Sequence, residues 1–165
     1  MTVSATALTA FNAAAAADAG REVARCCGST AFVAAIVAGR PYADIGELSA
    51  AADAEFGRLG WADVAEALDG HPRIGERAVA GWSRGEQAGA LAAPEQVARE
   101  LADGNRVYEE RFGHVFLVCA SGLSGEQMLG TLRARLANDP AAERAVVTDE
   151  LRKITQLRIR KLLGG

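Results

Sequence analysis

Aromatic residues make up only 5% of the 165-residue chain, and runs that alternate β-branched with aromatic side chains are nearly absent. Strands therefore lack the residues that favour them, and a sandwich or barrel is not expected. There are three cysteines, Cys26, Cys27 and Cys119. Their number is odd, two are adjacent, and none falls in a C-x-x-C pair. This excludes a disulfide scaffold or a zinc site and fits a reducing compartment. No apolar run approaches the roughly 20 residues that a bilayer-spanning helix needs. Neither sign of charge dominates: 18 basic against 21 acidic residues leave a net charge of −3, so nothing global points to nucleic acid or a membrane surface. There is no glycine-rich phosphate loop of the Walker or dinucleotide type and no acidic cluster with calcium spacing, so no nucleotide or metal cofactor is implied. The Ala-rich start "ATALTAFNAAAAADAG" lacks a basic segment before it and is interrupted by Asn12 and Asp18, unlike a secretion signal. "KLLGG" at the other end carries no targeting tripeptide. A cytoplasmic protein is expected.

Alanine, leucine, glutamate and arginine are abundant, which favours helix. The length suits one domain with a proper core and is short for two. The expectation is an all-α, compact single domain over residues 1–165, a bundle of eight or nine helices. The pattern predicts helices over Ser4–Asn12, Ala13–Cys26, Thr30–Ala38, Ile45–Leu59, Trp61–Leu68, Ser83–Leu91, Pro94–Phe112, Ser124–Ala137 and Pro140–Leu163. Gly39-Arg40-Pro41 stops one helix, Asp69-Gly70 ends another at a left-handed cap, and Asp139-Pro140 supplies a cap and first-turn proline for the last. The segment from Phe112 to Gly122 is the one apolar run with β character. It is read as a buried extended connection or a short helix start, hinged at Gly113 and Gly122.

Few residues could carry chemistry. His71 precedes Pro72, which biases its own backbone away from the α region, so it projects from a junction rather than a helix face. It can exchange a proton near neutral pH, or it can cap a carbonyl or pack against Trp82. Ser83 and Glu86 have the S-x-x-E spacing of a capping box, and Ser124-Gly-Glu126-Gln127 repeats that chemistry with no histidine nearby. By this comparison the motif marks a helix start, whose amides favour an anion. On the last helix, at about 100° per residue from Leu151, Val147 falls at roughly −40°, Ile154 at −60°, Leu162 at +20° and Arg158 at −20°. Arg158 thus points from the apolar stripe and needs either a structural carboxylate or an anionic ligand. Arg152, Lys153 and Arg160 lie on the opposite, solvated side. His114 reads as a core or edge histidine, and the three cysteines as small buried hydrophobes.

Four blocks, "GHPRIGE", "SRGEQAGAL", "YEERFGHVFLVCASG" and "RLANDPAAERAVVTDELRKITQLRIRKL", occur in an order that resembles the OHCU decarboxylase family, the 2-oxo-4-hydroxy-4-carboxy-5-ureidoimidazoline decarboxylases. The likeness spans roughly Leu8 to Leu163. It implies an all-helical fold, cofactor-independent decarboxylation to (S)-allantoin at the end of urate degradation, and a homodimer. By position it also implies a catalytic set of His71, Glu86 and Arg158. Substrate contacts are implied from Pro72, Ser83, Gln87 and the connection formed by Val118, Cys119, Ala120, Ser121 and Gly122. The ligand is then a small anionic ureidoimidazoline, with no metal, nucleic acid or membrane involved. Phe32 stands where many members have tryptophan, His114 replaces an apolar residue, and the link from His71 to Ser83 is short. These departures bear on the pocket rim rather than the reaction. The competing class is a non-catalytic helical binding module, using the pocket as a sensor or docking through Arg144, Arg152, Lys153, Arg160 and Lys161.

Overall fold

Helix starts in this chain are set by short side chains that reach back to the first free amides. Ser29 Oγ accepts from Phe32 N at 3.3 Å, Asp44 Oδ1 from Glu47 N at 2.8 Å, and Asp139 Oδ1 from Ala142 N at 2.8 Å. Each satisfies a donor that the helix itself cannot. The structure, a computed structural model, describes residues 3–76 and 81–164; residues 77–80, in the link between His71 and Ser83, lie outside them. It contains α1 (Val3–Ala13), α2 (Ala16–Cys26), α3 (Thr30–Ala38), α4 (Ile45–Phe56), α5 (Trp61–Asp69), α6 (Trp82–Glu86), α7 (Ala88–Leu91), α8 (Glu95–Phe112), α9 (Gly125–Arg135) and α10 (Pro140–Leu162). No strand occurs among the described residues, and the fold class is all-α, as expected. None of these helices is long and apolar enough to cross a membrane.

Among the described residues ten helices stand where eight or nine were expected, because the predicted segment Ser83–Leu91 breaks at Gln87 into α6 and α7. Gln87 has φ −99° and ψ 16°, outside the helical region. A second difference concerns the exit of α5. Gly70 is not left-handed; the first glycine with positive φ after that helix is Gly75, at 84°. The sharp reversal therefore comes five residues later than the dipeptide Asp69-Gly70 suggested, after His71 and Pro72.

The chain divides into two compact units, residues 1–67 with 152–165 and residues 68–151, and it passes between them within α5 and within α10. In the first unit α3 packs on α2 and α4, and the rings of Phe32 and Phe56 meet at 5.3 Å. Gln156 ties α10 to α4, with Nε2 donating to Ser49 O and Asp53 Oδ1 at 2.9 Å and Oε1 accepting from Ser49 Oγ at 2.5 Å. Cys26 and Cys27 are fully buried here, and burial pushes the Cys26 thiol up to about 12. They are the small hydrophobes expected of them.

The second unit is built around Leu101, Tyr108, Phe116, Met128 and Leu132, with α9 packed on α8 and α7. Its interior also holds charge. Arg135 donates through Nε and Nη2 to Glu143 Oε1 at 2.8 and 2.5 Å, Asn138 Nδ2 donates to Oε2 at 2.9 Å, and the Tyr108 hydroxyl donates to Oε1. Burial alone would push the Glu143 carboxyl up, but the bonds from Arg135, Tyr108 and Asn138 outweigh it and hold it below the ordinary range. A carboxylate so surrounded by donors can stay ionised in an interior.

Candidate active site

Three segments of the second unit carry most of the candidate residues: the turn after α5, the α6–α7 pair, and the connection after α8. In the turn, His71 is half-buried and its N–H donates to Leu68 O at 3.0 Å, so the side chain leaves the chain at the first bond past the helix. Pro72 is half-buried beside it, and Ile74 is buried in the core below. Asn105 Nδ2 donates to Ile74 O at 2.9 Å, holding the turn against α8.

Gln87 joins the turn to the second segment. Its Oε1 accepts from Gly75 N at 2.9 Å, and Gln87 is only 5% exposed. The break between α6 and α7 is thus where a buried side chain reaches the His71–Glu76 turn. Glu86, one residue earlier, is 8% exposed. A carboxylate taken that far out of water is costly without partners, so its placement is a built feature rather than a solvated helix end.

The capping-box reading of Ser83 and Glu86 is corrected here. α6 begins at Trp82, its N-cap position is Gly81 at φ 64°, and no side chain caps it. Ser83 lies inside the helix and Glu86 turns inward. Ser124, by contrast, forms the full box: its Oγ accepts from Gln127 N at 3.1 Å and Gln127 Oε1 accepts from Ser124 N at 2.8 Å. The two serines look alike in sequence, but only Ser124 marks a helix start.

The third segment runs from Gly113 to Leu123 without regular structure. Gly113 and Gly122 have φ of 77° and 80° and act as the hinges expected of them. Val118 and Ala120 are buried, Cys119 is half-buried and not the fully buried hydrophobe expected, and Ser121 and Gly122 are exposed. Gly89 fixes how this segment meets α7: a Cβ there would lie 1.9 Å from Leu123 O. Only glycine permits that approach, which places the residues just after Gln87 against the end of the connection. The segments that carry His71, Gln87 and Val118–Gly122 are so joined through the Gly75–Gln87 hydrogen bond and the close approach of Gly89 to Leu123.

His114 is a half-buried ring edge-on to Tyr108 at 5.4 Å and stacked near Phe112 at 6.2 Å. Burial lowers its pKa. Arg158 belongs to the other unit. It is 9% exposed on the stripe of α10 that also buries Val147, Leu151 and Ile154, as its spacing predicted. Its Nη1 donates to Arg25 O at 3.3 Å, at the C-terminal end of α2, where a cation is favoured. Arg160 and Lys153 are exposed, and Arg152 Nη1 reaches Asp53 Oδ1 at 3.3 Å. Among the described residues no group of three His, Cys, Asp or Glu side chains could hold a metal ion.

Two residues that sequence reasoning passed over act on the third segment. Arg135 Nη1 donates to Leu117 O at 2.5 Å, and Glu150 Oε2 accepts from Cys119 N at 2.7 Å. The only sequence signal for either was its place in the "RLANDPAAERAVVTDELRKITQLRIRKL" block.

The chain matches the family model for OHCU decarboxylase over residues 12–160. It is 34% identical over 147 residues to the uric acid degradation bifunctional protein TTL of Arabidopsis thaliana, covering 84% of this chain but 45% of that protein. It is also 34% identical over 151 residues to the 2-oxo-4-hydroxy-4-carboxy-5-ureidoimidazoline decarboxylase of Amia calva, covering 87% and 85%. This chain thus spans less than half of the bifunctional relative and most of the other. A solved structure of OHCU decarboxylase in the presence of (S)-allantoin is similar over 86% of this chain and 96% of its own, with a TM-score of 0.78 and 29% identity. A solved (S)-allantoin synthase, 16% identical, shares the fold at a TM-score of 0.71 over 94% of this chain and 53% of its own. With the family pattern matched over nearly its whole length and one relative of like size at this identity, the chain belongs to the OHCU decarboxylase family.

Proposed function

We propose that this chain decarboxylates 2-oxo-4-hydroxy-4-carboxy-5-ureidoimidazoline stereoselectively to (S)-allantoin, the last step of urate degradation in purine catabolism. Beyond the family match, the observation that supports this most is the buried Glu86–Gln87 pair, tied through Gly75 to the turn that carries His71. That bond joins the segment that carries His71 to the one that carries Glu86 and Gln87, which supports a reading in which an imidazole, a carboxylate and an amide act together.

The chemistry needs no electron sink from outside. Breaking the bond between the ring carbon and its carboxylate releases carbon dioxide and leaves the electron pair on a carbon whose ring neighbours can accept it. What the protein must supply is orientation and one proton. His71 delivers that proton to one face of the carbon and so sets the configuration. Glu86 orients His71 or the ureide N–H groups, and Arg158 pairs with an anionic or carbonyl oxygen. Gln87 has its oxygen committed to Gly75 N, and its Nε2 makes no bond among the described residues; it therefore serves as a donor, to a carbonyl or carboxylate oxygen. Ser83, Pro72 and the main chain of Val118–Gly122 hold the ring and tail.

The reading takes residues 1–165 as a single domain, since the chain passes between its two units inside continuous helices, and as a homodimer in the cytoplasm that binds a small anionic substrate. It is tested by generating the intermediate with urate oxidase and the hydrolase that follows it, then timing carbon dioxide release with and without this protein. Release no faster than the spontaneous reaction would refute the assignment.

A further inference from the structure

Val118 is 5% exposed, yet neither its N–H nor its C=O makes a hydrogen bond among the described residues. Buried main-chain groups are nearly always paired, so an open donor and acceptor on one residue mark a place where something else completes the pairing. The two peptide planes that carry them are not free to turn. Arg135 Nη1 holds Leu117 O at 2.5 Å and Glu150 Oε2 holds Cys119 N at 2.7 Å. In a trans peptide the C=O and the following N–H point in opposite directions. Val118 N–H is therefore aimed away from Arg135, and Val118 C=O away from Glu150.

Arg135 is locked by Glu143, which also accepts from Tyr108 and Asn138. Glu150 is half-buried on α10 and reaches a segment without regular structure. Charge-assisted bonds to the backbone are strong enough to select one orientation of a connection that would otherwise pair with water.

We infer that Glu150 and Arg135 are positioning residues: by fixing the peptides on either side of Val118 they present one backbone acceptor and one backbone donor to the N–H and C=O of the substrate's ureide. The inference rests on the proposed decarboxylase function and adds to it what orients the Val118–Gly122 contacts. Neither side chain touches the reacting carbon, so their loss should act on binding rather than on the chemical step.

The test compares Glu150→Ala with Glu150→Gln, which keeps a neutral oxygen acceptor. For Glu150→Ala the expected result is a KM raised about tenfold, binding of (S)-allantoin by calorimetry weakened by the same factor, and kcat within about twofold of the parent. Glu150→Gln should recover most of the lost affinity. Should the alanine variant fail to fold, the glutamine variant decides alone, with KM raised roughly twofold to threefold by the weaker neutral bond and kcat unchanged. Unchanged KM and allantoin binding in whichever variant folds, or a glutamine variant as impaired as the alanine one, would overturn the inference. A parent protein that does not outpace the spontaneous reaction would instead overturn the decarboxylase reading itself.

Discussion

His71 and Arg158 reach their positions by different physical routes, and their variants should fail differently. His71 leaves the chain at a turn whose backbone is held by Gln87 and Asn105. His71→Ala should therefore melt close to the parent while kcat falls by about 10²–10⁴, the span of general acid–base assistance. Arg158 is buried and donates to the end of α2, so Arg158→Ala should keep its fold with a modestly lower Tm and lose most activity. An Arg158→Ala protein that does not fold would assign the guanidinium to structure alone. Its inward position was legible in the sequence because a 3.6-residue period put it among Val147, Leu151 and Ile154. Glu150 was not legible: its bond goes to the main chain of an irregular segment 31 residues away, and no periodicity encodes that.

Elements give a sharper contrast. Ser83 and Ser124 share their local pattern, but Ser124 closes a capping box and Ser83 sits inside α6. Ser124→Ala should cost about 1 kcal/mol in denaturant unfolding and leave kcat/KM unchanged. Ser83→Ala should cost little stability and lower kcat/KM; the reverse pattern would restore the helix-start reading. What separates the two serines is Gly81 at φ 64°, which starts the helix one residue before Ser83 and which spacing alone does not reveal. The break at Gln87 was hidden for a similar reason, since the long-range bond to Gly75 competes with continuation of the helix. Gly89 is the hinge of this arrangement. Gly89→Ala forces a Cβ against Leu123 O, a backbone atom that cannot swing aside. About 1–3 kcal/mol of stability should be lost, together with activity, because α7 must move off the connection; a variant of parental stability and rate would show that the contact is slack.

Across the whole molecule, acid should act in two separable stages. The His114 pKa is lowered by burial from 6.5, so as pH falls below about 6.5 the unfolded chain takes up that proton first and stability drops until the folded value is passed. His114→Phe removes this stage and should flatten the stability profile between pH 7 and 5, as followed by urea midpoints. The Glu143 carboxyl is held below 4.5; its contribution is complete above that value and is lost as pH falls through the lower folded one. Glu143→Ala leaves Arg135 charged in the interior and should cost about 3–5 kcal/mol at neutral pH. The all-helical class followed from composition, because a chain with this much alanine and so few aromatics has little from which to build a sheet. The ionic centre of the second unit did not, since buried charge follows from long-range partners.

Chirality of the product tests the central claim most directly, because the unassisted reaction has no means of choosing a face. Urate oxidase and the hydrolase are mixed with this protein, and circular dichroism follows allantoin as it forms. The account predicts a prompt (S)-allantoin signal whose initial rate scales with the amount of this protein and is abolished in folded His71→Ala. A racemic product, formed at the spontaneous rate whatever amount is added, would contradict it.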